Sequence, residues 1–488
     1  MSAISSPVQS LPTSDADAAA PVSAAEIDAS CRAPVLLLFV SAAAWLFISS
    51  ILGMIATLKF HVPGMLADCA WFTYGRVHPA HLNALTYGFA AQAGLGVVLW
   101  VLAHLGRTRL ALTSAVILGA VLWNLGMTVG IAGILYGEST GFEWLEMPRY
   151  ASVALFFGYL LVGLGAMQTL HERRERQLTT TQWFVMAALF WFPWIYSTAE
   201  FLLVGHPVRG ALQAAIDCWY ANNLMTVWFG FMGLAVIFYF IPKLINRPLF
   251  SHYIGIFIFW TLALFGSWGG IPPGSPLPAW MASMSTMGAV LTVVPVLAVA
   301  VNVRRTMAGD YSKTTESRPL KFFIFGAMAY VFSGLAGAAM SLVRVSKVTN
   351  FTWFVPAHTQ FVIYGFFAMT MFGAIYYIVP RLLQTEFPKP SMIFAHFVLA
   401  GGGILVYAVP LAIGGVKQGF ALNDPSKSFA DVMLSSLSFL RISTLGDVSM
   451  ALGHLVLLLN LAGILIRVGR RAVSAAWTAN TKVVEVAS

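Results

Sequence analysis

Long runs of apolar residues, separated by short polar segments, follow one another along most of this sequence. Each run has about 20 residues, the length that an α-helix needs to cross the hydrocarbon core of a bilayer. We therefore predict an all-α integral membrane protein with twelve transmembrane helices. The predicted helices 1 to 12 lie near residues 34–56, 80–104, 110–136, 150–168, 182–204, 219–241, 251–268, 280–303, 320–343, 353–379, 392–414 and 447–468.

The two ends of the chain lack this pattern. Residues 1–33 are small, polar and acidic, without a basic region followed by an apolar core, so we predict a disordered tail rather than a signal peptide. Residues 471–488 are interpreted in the same way as a C-terminal tail. The predicted organisation is one membrane domain, residues 34–470, between two tails.

Composition agrees with a membrane protein, since 58% of the residues are hydrophobic and 10% are charged. The net charge of +9 could suggest a nucleic-acid partner. The positive-inside rule explains it better, because about two thirds of the lysines and arginines fall on the side that carries the N-terminus. We expect contact with the lipid bilayer and with no nucleic acid. Both termini are predicted to be cytoplasmic, with even-numbered helices running inward.

Histidines are the main candidates for chemistry. The strings YGRVHPAHLNALTYGF and FVPAHTQFVIYGFF place His81 and His358 in the first turns of helices 2 and 10. Both helices run inward, so the two imidazoles lie at similar depth and could ligate one haem iron from opposite faces. Hydrogen bonding between helices is the alternative.

Three other histidines need an interpretation. His78 lies one turn before His81 and is an alternative ligand on helix 2. His396 and His454 lie near the predicted starts of helices 11 and 12, where we interpret them as amphipathic anchors at the membrane interface.

The strings around these histidines resemble subunit I of the haem–copper oxidases. The similarity is greatest to the cytochrome cbb-type branch, and nitric oxide reductases are relatives. That branch carries Gly-Arg-x-x-Pro-x-His-x-Asn-Ala at helix 2, and here residues 75–84 read GRVHPAHLNA. Helices 6 and 10 end in FYFIPKLINRPLFS and YYIVPRLL, which are also similar. The resemblance covers about residues 35–470 and implies the twelve-helix fold of subunit I.

In that family, six histidines bind the cofactors. One histidine on helix 2 and one on helix 10 ligate a low-spin haem, and a histidine two positions earlier on helix 10 ligates a high-spin haem. Carried over to this sequence, the low-spin ligands fall on His81 and His358. The high-spin ligand falls on Pro356, which has no side-chain donor.

The family's copper ligands come from helix 6 and the end of helix 7. Here the helix 6 string is WYANN, which puts Asn222 in place of the histidine. The helix 7 pair falls on Pro272 and Pro273, and the helix 7 tyrosine falls on Gly266. The resemblance thus implies one low-spin, bis-histidine haem b and no copper. Arg441 is the favoured partner of the haem propionates, ahead of Arg76, Arg344 and Lys347.

We therefore expect a haem b-binding electron-transfer subunit of a respiratory complex in the cytoplasmic membrane of a bacterium. A membrane-anchored or periplasmic c-type cytochrome and other respiratory subunits are the expected partners. The alternative is the catalytic subunit I of a cbb-type cytochrome c oxidase or a nitric oxide reductase. A third possibility is a haem-free scaffold or transporter that inherited the fold.

Overall fold

Twelve apolar helices make up most of the part of the chain that the structure describes. The computed structural model describes residues 22–487, with only the helix backbone at residue 472 and residues 475–487. Eleven helices are long and apolar enough to cross a membrane, and a shorter apolar helix lies between the sixth and seventh of these. In chain order, α1 to α12 are Ala24–Leu58, Tyr74–Gly106, Thr113–Tyr136, Arg149–His171, Thr180–Gly205, Ala211–Ile245, His252–Gly266, Ala279–Met307, Arg318–Met340, Phe354–Leu383, Ser391–Leu422 and Phe429–Ala487. The predicted fold class is confirmed.

The first and last helices of the chain, α1 and α12, are longer than their apolar runs. α1 begins at Ala24, where a capping box holds the first turn: Ser23 Oγ accepts from the Glu26 amide at 3.3 Å, and the Glu26 carboxylate accepts from the Ser23 amide at 3.0 Å. The expected N-terminal tail therefore includes helical residues, while residues 1–21 lie outside the described part. α12 likewise continues through the expected C-terminal tail to Ala487. Apolar patterning missed both extensions because a cap and polar helix formers extend a helix without apolar residues.

Three helices form the centre of the bundle. In α2, α6 and α10, 89%, 89% and 94% of the most apolar stretch is buried, whereas no other of the eleven long helices exceeds 56%. These three helices begin at the same end of the bundle, which we call the upper end. Residues near their first turns consequently face other helices rather than lipid.

Each central helix contains a wide, π-helical segment just below its first turns. These segments are Ala84–Ala91 in α2, Asn223–Trp228 in α6 and Phe361–Ala368 in α10. A π-helical turn holds more residues than an α-helical one, and such turns are frequent at functional sites. A π-helical segment therefore changes the side of the helix on which the residues before it lie, relative to the residues after it.

α11 and α12 pack closely through glycine. A Cβ atom added to Gly403 would lie 2.7 Å from Met450 Cγ and 3.1 Å from the carbonyl oxygen of Gly446, both on α12. Gly402 is its neighbour in sequence but faces open space, with nothing within 4 Å of an added Cβ. The contact between the two helices therefore depends on the missing side chain at Gly403.

We predict that G403A lowers the thermal stability of the purified protein and that G402A does not. The added methyl must push α12 away, and overpacking of this kind typically costs about 1–3 kcal/mol. Thermal unfolding of both variants in the same detergent tests this. Equal melting temperatures would show that α11 and α12 do not depend on this contact.

Candidate functional site

Two separate regions of empty space at the upper end of the bundle lie beside the candidate histidines. The first, which we call the His358 cavity, is about 250 Å³ and lies among α6, α7, α8, α9 and α10. The second consists of two small cavities of about 30 Å³ each among α1, α2, α10, α11 and α12, which we call the His81 cavities. His358 lines only the first region, and His81 lines both cavities of the second.

His358 lies against α9 in the larger cavity. Its Nε2 atom is 2.9 Å from the carbonyl oxygen of Ser333, to which it donates. A Cβ atom at Gly337 would lie 3.3 Å from the same nitrogen, so this glycine provides the space for the ring. His358 is the single histidine among the residues that line this cavity. One imidazole is thus held at the cavity wall by the backbone of α9.

The wall opposite His358 contains the positions expected to have lost copper ligands. Asn222 donates from Nδ2 to the carbonyl oxygen of Gly266 at 2.7 Å and accepts from Thr226 Oγ1 at 3.2 Å. Both ends of the amide are therefore engaged: Nδ2 joins α6 to the end of α7, and Oδ1 bonds within α6. Pro272 and Pro273 follow α7 and offer no side-chain donor. Among the described residues, no three histidine, cysteine or acidic side chains form a cluster suited to a metal ion.

His81 is oriented by α1. Its Nδ1 atom lies 2.8 Å from the carbonyl oxygen of Ser49 and 3.0 Å from Ser49 Oγ. An added Cβ at Gly53 would lie 2.8 Å from Nδ1, so this glycine makes room for the ring. Anchoring through Nδ1 leaves Nε2 available to another partner, as in histidines that bind metals. The cavities beside it, however, have room for a few water molecules at most.

The structure does not bring His81 and His358 together. On α10, Pro356, Gln360 and Tyr364 line the His81 cavities, and Gln360 is two positions after His358. An offset of two turns a side chain by about 200° around a helix, so the two residues face opposite sides. This placement favours a register shifted by two residues, with His358 at the high-spin position of the family and Gln360 at the low-spin position.

Sequence reasoning missed Gln360, although a signal was present. The string AHTQ places a second polar residue two positions after the histidine, which is the spacing of the two haem ligands in the family. If histidine is taken as the only ligand type, His358 rather than Gln360 falls at the low-spin position.

His396 and His454 are not interfacial anchors. His454 is buried between α1 and α10, with Nε2 2.5 Å from the Tyr364 hydroxyl and Nδ1 bonded to Ser50. His396 is fully buried, with Nδ1 3.0 Å from the Tyr376 hydroxyl. The interpretation failed for His454 because α12 begins at Phe429, far before the predicted start at residue 447. The interpretation failed for His396 because the face of α11 that carries His396 packs on α10.

The remaining candidates lie outside the larger cavity. His78 stacks on Tyr74, with ring centroids 5.1 Å apart, and lines one His81 cavity. Arg441 is exposed, donates from Nε to the carbonyl oxygen of Phe60 at 3.3 Å, and is not among the residues that line either region. Arg76 donates to the carbonyl oxygen of Leu135 at 3.2 Å.

A buried carboxyl lies close to the start of α2. Glu146, in the segment between α3 and α4, accepts from Asn83 Nδ2 at 2.8 Å. Burial raises the pKa of Glu146 to about 7, against the opposing effect of the Asn83 hydrogen bond. This loop therefore carries a carboxyl group whose pKa is near neutral. Its partner Asn83 lies two residues after His81 in the sequence.

Comparison with known proteins agrees with this architecture. A solved structure described as a heme-copper terminal oxidase dimer superimposes with a TM-score of 0.70 at 13% identity, covering 88% of this chain and 83% of that one. The fold is therefore that of the haem–copper oxidases. The family model of "Cytochrome C and Quinol oxidase polypeptide I" matches residues 33–449, and the chain belongs to that family.

Curated relatives point the same way. The chain is 25% identical over 442 residues to a cytochrome c oxidase subunit 1 homolog of Agrobacterium tumefaciens, covering 85% of this chain and 80% of the relative. It is 23% identical over 434 residues to the cbb3-type cytochrome c oxidase subunit CcoN1 of Stutzerimonas stutzeri, covering 85% and 91%. The apolar helices and these bacterial relatives support a multi-pass bacterial membrane protein, as expected from the sequence.

We predict that N222A destabilises the protein because it leaves the Gly266 carbonyl and the Thr226 hydroxyl without their partner. The expected loss is about 1–3 kcal/mol. N350A is the matched control in the same cavity, since Asn350 donates only to the nearby Ser346 hydroxyl at 2.6 Å. Thermal unfolding should show the larger loss for N222A. A larger loss for N350A would contradict the joining role of Asn222.

We predict that Glu146 makes stability depend on pH. Its pKa in the folded protein, about 7, is higher than in the unfolded chain, so the folded state binds this proton more tightly. Stability from this group is complete below about pH 4 and is lost as pH rises through about 7. Melting temperatures across this range should fall for the wild type and fall less for E146Q. E138Q, at an exposed carboxyl in the same segment, should keep the wild-type profile.

Proposed function

We propose that this chain is a haem b-binding subunit of a respiratory membrane complex that transfers electrons and does not reduce oxygen at a haem–copper centre. The observation that carries the proposal is the wall opposite His358. The side-chain amide of Asn222 is engaged in hydrogen bonds, and Pro272 and Pro273 offer no ligand. Copper in such sites needs donors such as imidazole, and Asn222, Pro272 and Pro273 supply none.

The larger cavity fits a haem better than the His81 cavities do. Its volume of about 250 Å³ approaches the range of about 300–1,000 Å³ that is usual for cofactor sites. It contains an imidazole, and the glycines of α9 keep the wall beside that ring flat. A single histidine is an established way to hold haem iron. We therefore assign His358 as the ligand.

The two cavities beside His81 do not fit the cofactor. They total far less space than a tetrapyrrole needs, and the α10 residues that line the same cavity as His81 are Gln360 and Tyr364 rather than a histidine. The low-spin, bis-histidine arrangement expected from the sequence is accordingly replaced in this proposal by one imidazole ligand. Arg441 is near the His81 cavities, so its position gives no support for a role at the propionates.

The haem would supply an iron that accepts and releases single electrons. The protein's own contribution is to hold the ring of His358: Ser333 accepts from Nε2, and this hydrogen bond must be exchanged if Nε2 binds iron. Asn222 keeps α6 and α7 together behind the opposite wall.

The relatives suggest the setting of this subunit. CcoN1 is by its name a subunit of a cbb3-type oxidase. We propose that this chain likewise assembles with other respiratory subunits and exchanges electrons with a membrane-anchored or periplasmic c-type cytochrome. The distribution of lysine and arginine supports an orientation with both termini in the cytoplasm.

The test is haem and copper analysis of the purified protein, together with H358A and H81A. We expect one haem b per chain, no stoichiometric copper, and a spectral shift with carbon monoxide at the open position of the iron. H358A should lose the haem, and H81A should retain it. Helix content and melting temperature of each variant show whether it has folded.

Other outcomes would contradict the proposal in distinct ways. Loss of haem from both variants, without a carbon monoxide shift, would indicate the bis-histidine arrangement. Two haems with copper would indicate an oxygen-reducing subunit I. A protein without haem, expressed in a haem-replete host, would indicate a scaffold or transporter.

A further inference from the structure

A groove between α4 and α5 lies apart from both histidine regions. Its volume is about 350 Å³, within the range of about 300–1,000 Å³ that is usual for ligand sites. Arg149, the first residue of α4, and Glu200, near the end of α5, both line it, so the groove is at the upper end of the bundle. It shares no lining residue with the His358 cavity or the His81 cavities.

The groove opens toward lipid and changes from polar to apolar with depth. Val153, Phe157 and Phe201 line it, and each is at least half exposed on the outer surface of the bundle. Arg149, Val153 and Phe157 are spaced by four residues and therefore form one stripe along α4. The charged end of this stripe is at the upper end, and its apolar part lies deeper. This order suits an amphiphilic molecule with its polar group at the membrane surface.

Two buried polar atoms in the groove have no partner. The Oε1 atom of Glu200 is buried without a hydrogen bond, and so is the hydroxyl of Ser152, a residue that is 3% exposed. The hydroxyls of Ser152 and Tyr196 lie beside the Glu200 carboxyl. Buried polar atoms nearly always have a partner, so these two point to a ligand. A wide π-helical segment, Glu200–Gly205, begins at this carboxyl, and such turns are frequent at functional sites.

The groove also presents two opposite charges that are not paired with each other. Arg149 and Glu200 both line it, yet no salt bridge in the described part of the chain involves either side chain. A buried carboxylate without a cation is costly, and an ammonium group of a ligand would offset it. The guanidinium of Arg149 is suited to a phosphate. A molecule that carries both charges therefore complements the groove.

We propose that this groove binds a phospholipid whose headgroup carries a primary ammonium and a phosphate, as in phosphatidylethanolamine. The ammonium donates to Glu200 Oε1 and to the Ser152 hydroxyl, and the phosphate accepts from Arg149. An acyl chain lies along Val153 and Phe157. A choline headgroup has no N–H donor and a glycerol headgroup has no cation, so the site discriminates against both. The proposal does not depend on the haem-binding role of His358.

Native mass spectrometry of the purified, delipidated full chain tests this site. The protein is titrated with dioleoyl phosphatidylethanolamine, phosphatidylcholine and phosphatidylglycerol. We expect phosphatidylethanolamine to bind about tenfold more tightly than the other two, because only it makes both charge-assisted contacts. E200Q should abolish this preference, and R149Q should weaken binding of all three lipids. E138Q and R209Q, at exposed charges of the same end, should keep the wild-type affinities.

A steric pair of variants tests the groove without changing its charges. V153W should fill the groove and lower phosphatidylethanolamine affinity, whereas L164W, at an exposed position of α4 that does not line the groove, should not. This pair also keeps the proposal testable if E200Q does not fold, which helix content and melting temperature show.

Three results would overturn the proposal. Equal affinity for the three lipids in the wild type would show that the groove holds only unselected membrane lipid. An unchanged preference in folded E200Q would place the ammonium elsewhere. Tighter binding of a short-chain ubiquinol, lost in V153W while phosphatidylethanolamine binding is unaffected, would make the groove a quinol site instead.

Discussion

A polar side chain buried in a membrane bundle must find its partner within the protein, because lipid offers none. The upper end of this bundle depends on that constraint. Asn222 joins α6 to α7, His358 joins α10 to α9, and His81 joins α2 to α1, each through a backbone carbonyl. Each of these side chains therefore holds two neighbouring helices together.

The two regions at the upper end have different linings. In the larger one, His358 lies on α10 and the lining includes Asn222, Pro272 and Pro273. In the other, the histidine of α2 remains while its counterpart on α10 is Gln360, and polar side chains enclose the space. Each region retains one histidine of the set expected from the family. An electron-transferring role with one haem is consistent with the first.

The number of helices, their order and the family were predictable from sequence because they depend on apolar runs and short motifs. That Asn222, in the string WYANN, takes the place of a copper-binding histidine stays a prediction from the resemblance. The separation of His81 from His358 was not predictable. A shift of two residues on α10 keeps the apolar pattern acceptable and moves the ligand to the opposite face of the helix. The burial of His454 also escaped prediction, because the start of α12 has no apolar run to mark it.

The wide turns in the three central helices separate each helix into two parts. His81 lies just above Ala84–Ala91, Asn222 directly above Asn223–Trp228, and His358 above Phe361–Ala368. Removing one residue from such a turn would rotate the upper part by about 100° while the lower part stayed packed. A single-codon deletion or insertion could therefore exchange which residue faces a cavity without repacking the membrane core. Lineages of this fold have a short mutational route to new ligand sets, and sequence alignments across these turns need to allow for it.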